Sequence, residues 1–121
     1  MGPALDENTL AALRELADED DPGFLTDLID TYLQDSASSL AKLGEALAAD
    51  GVDRDQTRRL AHTLKGASQN IGAIQMAARC LDLEKTAPSA APAELREMLA
   101  RAEEAFAVTR ESLGRELARA S

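Results

Sequence analysis

At 121 residues the chain has the length of a single domain, and we expect residues 1–121 to form one unit. Hydrophobic residues make up 45% but aromatic ones only 2%. A core built from Leu, Ala and Ile favours helices, because strands draw on β-branched and aromatic side chains. The balance of 13 basic against 22 acidic side chains gives a formal charge of −9, which argues against general nucleic-acid binding and against docking on an anionic membrane.

The first helix is expected from near Asp6 to Ala17, with Leu10, Leu13 and Leu16 on one stripe. The run Asp18-Glu19-Asp20-Asp21-Pro22-Gly23 ends it and prepares the next start, with Pro22 in the first turn. A long second helix then covers about Pro22 to Ala49. Its apolar positions Leu25, Leu28, Ile29, Tyr32, Leu33, Leu40, Leu43 and Leu47 recur at spacings suited to a helix. Asp50-Gly51 stops it, with Gly51 suited to a left-handed cap. A third helix runs from after Asp53 to about Ile71, and a fourth from about Ala73 to Ala87. After the loop 87–92, the last helix starts near Pro92 and carries Leu95, Met98, Leu99, Ala102, Phe106, Thr109, Leu113 and Leu117 on its stripe. No strand-like alternation occurs. The fold expected is all-α: an antiparallel up-and-down four-helix bundle with a short additional N-terminal helix.

Cys80 is the single cysteine and His62 the single histidine. They allow neither an internal disulfide nor a tetrahedral zinc site. Cys80 reads as a small buried hydrophobe. The N-terminus has the acids Asp6 and Glu7 and no apolar signal region, and no stretch approaches the ~18 apolar residues of a membrane span. The expectation is a soluble, cytoplasmic monomer that needs no metal or cofactor of its own.

His62 draws attention through its helical neighbours. With His62 at 0° and about 100° per residue, Leu60, Leu64, Ala67 and Ile71 fall at about 160°, 200°, 140° and 180°. They form the expected buried stripe, and His62 lies opposite, facing solvent. Arg58, Lys65 and Gln69 flank it on one side; Asp55, Arg59 and Gly66 flank it on the other. Three cations against one acid make the strip positive on an acidic protein, which suits an anion. A solvated charged face is the ordinary reading of such a strip, but Gly66 is harder to dismiss. Glycine inside a helix costs about 1 kcal/mol relative to alanine, and its place near 40° is away from the core. There it clears space beside the imidazole.

The run His62-Thr63-Leu64-Lys65-Gly66-Ala67-Ser68-Gln69-Asn70-Ile71-Gly72-Ala73 fills every fixed position of the pattern H-x-L-K-G-x-S-x-x-x-G-A. It resembles the signature of histidine-containing phosphotransfer (HPt) domains, and Cys80-Leu81-Asp82-Leu83-Glu84 resembles the continuation. The resemblance implies the four-helix bundle with the motif on a central helix. It implies that His62 is the phosphoacceptor, with Lys65 near the phosphoryl group and Gly66 leaving access. Arg58, Arg59 and Gln69 would support it from the same face. Ser68 would face a neighbouring helix and bond a backbone carbonyl one turn back, and Gly72-Ala73 would form the corner to the fourth helix. Several family members carry glutamine where this chain has Glu84. A carboxylate there can accept from the ring N–H, although taken alone Glu84 reads as an ordinary surface acid.

The implied function is a phosphorelay intermediate between receiver-domain aspartates. Its partners would be response-regulator receivers and a hybrid histidine kinase, and Mg²⁺ would belong to the receiver. No autonomous kinase activity is expected. The alternatives are a non-catalytic helical adaptor and the phosphoacceptor helix of a histidine kinase. The second usually has an acid after the histidine, where this chain has Thr63. The order Lys65-Gly66 is the reverse of a P-loop's Gly-Lys.

Overall fold

The computed structural model describes residues 3–19, 23–48 and 51–120. Its helices are α1 (Glu7–Glu19), α2 (Phe24–Ala48), α3 (Arg54–Asn70), α4 (Ile74–Thr86) and α5 (Pro92–Ala120). The expected turn at Asp20-Asp21-Pro22 and Asp50 of the expected helix stop lie outside the described residues, while Gly51 does not take the left-handed conformation expected of a cap. Asp18 and Glu19, expected in the turn, belong to α1 instead.

Helices α2 to α5 form the up-and-down bundle. Each packs on its chain neighbour and α5 closes back on α2, while α1 lies against α2. Leu10, Ile29, Leu43, Leu47, Leu64, Ile71, Met76, Leu83, Leu95 and Leu113 are fully buried. Burying each such side chain contributes about 1.5–3 kcal/mol. The peripheral place of α1 corrects one expectation. Leu10 is buried and Leu13 half-buried, but Leu16 stays 65% exposed, because α1 offers the bundle only part of its stripe. Cys80 is fully buried, and that burial pushes its thiol up to about 12.

The most extensive pairing is that of α3 with α4. The buried arc of α3 is Thr57, Ala61, Leu64 and Ser68, continued by Ile71 beyond the helix. This rotates the expected stripe: Leu60 is only half-buried and Ala67 is exposed. Small residues replace them. Ala61 and Ser68 on α3, with Ala77 and Cys80 on α4, let the two helices sit close. The polar members of the arc are satisfied. Thr57 Oγ1 donates to the Asp53 carbonyl at 2.8 Å, and Ser68 shares a hydrogen bond with Tyr32 of α2.

The α3–α4 corner is built on Gly72, whose φ is +76°. The Ala73 N–H donates to the Ser68 carbonyl at 2.8 Å and the Gly72 N–H to the Gln69 carbonyl at 3.1 Å. These are the paired bonds of a Schellman cap, which needs a left-handed residue between them. The N-terminal segment then straps the corner. The Asp6 N–H donates to the Gly72 carbonyl at 2.8 Å, and the Ile74 N–H to the Ala4 carbonyl at 3.1 Å. Asp6 also caps α1, accepting from the Asn8 N–H and the Thr9 hydroxyl.

A Cβ at position 72 would sit 3.0 Å from Thr9 Cβ and 3.3 Å from the Asp6 carbonyl, on top of the backbone strain. Gly72→Ala is therefore expected to cost about 1–3 kcal/mol. The check is a denaturant titration, which should give a lower midpoint at an unchanged slope.

Candidate functional site

The site is set by how α3 and α4 are pinned. At the start of α3, Asp53 accepts the Gln56 N–H at 3.0 Å as N-cap. Arg54 reaches across to the end of α4, with Nη1 donating to the carbonyls of Ala87 at 2.9 Å and Ala90 at 2.8 Å. Gly72 fixes the other end. With both ends held, the register between the two helices is set, and Glu84 of α4 is placed across from His62 and Lys65 of α3.

The Glu84 carboxylate joins the two. Its Oε2 lies 2.8 Å from His62 Nδ1 and its Oε1 accepts from Lys65 Nζ at 2.7 Å. The His62 side chain is 62% exposed, whereas Lys65 and Glu84 are 19% and 20% exposed. The Lys65 ammonium and, after it, the His62 ring hold the Glu84 carboxyl below the usual carboxylate range. An ionised carboxylate can only accept. In the neutral ring, Nδ1 then carries the hydrogen and Nε2 the lone pair, an arrangement suited to attack from Nε2. Glu84 is thus the positioning partner of the ring and not a bare surface acid.

Gly66 lies beside this cluster, and a Cβ there would meet nothing within 4 Å. No neighbouring helix requires the glycine. Arg58 and Arg59 are turned toward Asp55 and not toward the ring. Arg58 Nη2 donates to Asp55 Oδ1 at 3.3 Å and Arg59 Nε to Oδ2 at 2.9 Å. Arg59 and then Arg58 hold the Asp55 carboxyl low. The expected bare cationic strip is therefore largely ion-paired. Gln69 stays on the exposed face.

Ser68 corrects a second expectation. Its hydroxyl meets the Tyr32 hydroxyl at 2.8 Å, across to α2, instead of a carbonyl one turn back. Burial pushes the Tyr32 phenol up, opposed by the hydroxyls of Ser68 and Ser36. Tyr32 and Arg54 were missed as supports of the site. The signal for Tyr32 was the lone tyrosine on the buried stripe of α2, opposite a serine on the core side of α3. Nothing in the spacing marked Arg54. Among the described residues no three His, Cys, Asp or Glu side chains gather to hold a metal, and no helix is long and apolar enough to cross a membrane.

Two outcomes follow from these bonds. Tyr32→Phe leaves a buried Ser68 hydroxyl without its partner and should cost about 1–3 kcal/mol in chemical unfolding. The Glu84 carboxyl is lower in the folded chain than in the unfolded one. Its stabilisation is fully present above the ordinary carboxylate range and is lost as pH falls through the lowered value. The stability difference between parent and Glu84→Gln should shrink on acidification, measured by unfolding at stepped pH.

The family model described as "Hpt domain" matches residues 27–107. Histidine-containing phosphotransfer protein 4 of Arabidopsis thaliana is 33% identical over 76 residues, covering 63% of this chain and 59% of that protein. Histidine-containing phosphotransfer protein 2 of the same plant is 25% identical over 80 residues, covering 65% and 51%. The chain thus spans little more than half the length of these relatives. The crystal structure of histidine-containing phosphotransfer protein B from Pseudomonas aeruginosa PAO1 superposes with a TM-score of 0.85 at 32% identity, covering 98% of each chain. The maize protein ZmHP2 shares the fold, with a TM-score of 0.84 at 23% identity over 94% of this chain and 89% of that one.

Proposed function

This chain belongs to the Hpt domain family, and we propose that it carries a phosphoryl group on His62 between the aspartates of receiver domains in a multistep relay. The observation that carries the reading is the exposed imidazole whose Nδ1 is held 2.8 Å from an ionised Glu84. In the forward step, the Nε2 lone pair attacks the phosphorus of an aspartyl phosphate on a response-regulator receiver. The P–O bond breaks, and the receiver's carboxylate departs with its electron pair. The reverse attack by a second receiver's aspartate regenerates the imidazole. Mg²⁺, expected on the receiver and not on this chain, would supply charge neutralisation at the phosphoryl group. The first receiver would belong to a hybrid histidine kinase.

Lys65 sits one helical turn from His62 and brings a cation to the site, although it is engaged with Glu84 before phosphorylation. Gly66 leaves the flank of the ring open to the incoming receiver. The chain acts as carrier and monomer, working in the cytoplasm and without kinase activity of its own.

His62→Gln should abolish phosphorylation by a phosphorylated receiver while shifting stability by no more than about 0.5 kcal/mol, since the side chain is exposed. Transfer retained in that variant would overturn the assignment.

Gly66 allows an independent test. Gly66→Ala should raise stability by up to about 1 kcal/mol through helix propensity, because a Cβ there meets open space. Gly66→Gln should also stay folded. Transfer from one phosphorylated receiver should fall in both, and further in Gln than in Ala. Parental transfer rates in two stable variants would reject steric access as the reason for the glycine.

A further inference from the structure

An amide oxygen and a carboxylate accept equally from a ring N–H, but only the carboxylate carries charge. For the neutral imidazole the difference is small. It becomes large once Nε2 is phosphorylated. During attack the Nε2 lone pair forms the N–P bond, the P–O bond of the aspartyl phosphate breaks, and its electron pair stays on the aspartate. No proton has moved, so the ring emerges cationic, still protonated at Nδ1.

We propose that Glu84 keeps that proton on Nδ1 for as long as His62 carries the phosphoryl group, so that the carrier stays in its ring-protonated, readily transferring form. The proposal rests on His62 being the acceptor. Its chemical basis is the leaving group. When the N–P bond of a protonated ring breaks, the electron pair returns to Nε2 and neutral imidazole departs. From an unprotonated phospho-ring, an imidazolate would have to leave. With the proton retained, acceptance and donation close into a cycle that exchanges no proton with water.

The surroundings fit this role. The ionisable groups at the ring are Glu84 from α4, 2.8 Å from Nδ1, and Lys65 from α3, which is bonded to the other oxygen of Glu84. An opposite charge in contact favours the charged form of the ring. Lys65 shares that carboxylate through the other oxygen and so competes with the ring for its charge. Asp55, Arg58 and Arg59 lie nearer the start of α3 and are bonded among themselves. From α2, the ionisable side chain bonded to α3 is Tyr32, buried and paired with Ser68. Cys80 of α4 is buried with its thiol pushed up to about 12.

The test uses the whole chain with ¹⁵N-labelled histidine, phosphorylated by phosphoramidate, a small donor that needs no receiver. The ring nitrogens are followed by NMR against pH. In the parent, the phosphorylated ring should stay protonated to about 1–3 pH units higher than in Glu84→Gln. Lys65→Met removes the competing cation and keeps the carboxylate, so it should move the titration upward, opposite to Glu84→Gln. A purely structural role would not give opposite signs. At neutral pH, Glu84→Gln should pass its phosphoryl group to a receiver more slowly, by up to about tenfold for each pH unit that separates the two titrations. The gap should close at acid pH, where both rings are protonated. Coincident titrations of parent and Glu84→Gln, or shifts of one sign in both variants, overturn the proposal. If phosphoramidate leaves His62 unmodified while receivers phosphorylate another residue, the acceptor assignment itself fails.

Discussion

The site depends on the register of α3 against α4. Neither helix alone carries the cluster: His62 and Lys65 come from one, Glu84 from the other. A slip of one residue would rotate Glu84 by about 100° around its helix and break both contacts. The register is held by polar backbone bonds at the two ends of the pair, while the small residues between them supply close approach. Arg54 ties the start of α3 to the carbonyls of Ala87 and Ala90, and the Gly72 cap closes the corner under the N-terminal strap. Apolar packing gives the bundle its stability and also resists such slips, since a rotation of about 100° would turn buried Leu64 or Leu83 out of the core. The directional bonds at the two ends add to that constraint and help fix the geometry at the histidine.

The helices themselves were legible in the sequence because each has a long apolar stripe and clear punctuation. Asp53 and Pro92 stand where the spacing puts them, at a cap and a helix start, and Gly72 forms the corner that the family resemblance implies. The stripe of α3 was less legible. Beside Ala61 and Leu64, its core face includes Thr57 and Ser68, which a hydrophobicity pattern does not count as core. Leu60 and Ala67 drew the wheel toward themselves. The structure buries the polar positions instead, because Thr57 reaches a backbone carbonyl and Ser68 reaches Tyr32. A polar group costs little to bury once it is hydrogen-bonded.

Charge shows the same limit. Arg58, Arg59 and Lys65 count as three cations on one face of a helix, but pairing cannot be counted from one helix. Asp55 takes up the first two locally, at spacings of three and four. Glu84, 19 residues from Lys65, takes up the third across the helix pair. Only the local pairing is visible in the sequence.

The division of exposure within the cluster follows from these bonds. Lys65 and Glu84 are mostly covered, whereas the imidazole between them and solvent is mostly open. A salt bridge that is partly shielded from water holds its geometry better than one at the surface, because fewer waters compete for its donors. Glu84 is therefore anchored by Lys65 before it meets the ring. The ring in turn is fixed through one nitrogen while the other stays accessible. Orientation thus comes from a covered ion pair, while the other edge of the ring stays exposed, where the proposed function would have the phosphoryl group attach. A Cβ at position 66 would meet neither the pair nor the core, so under that proposal a substitution there acts on what approaches the ring and not on the fold.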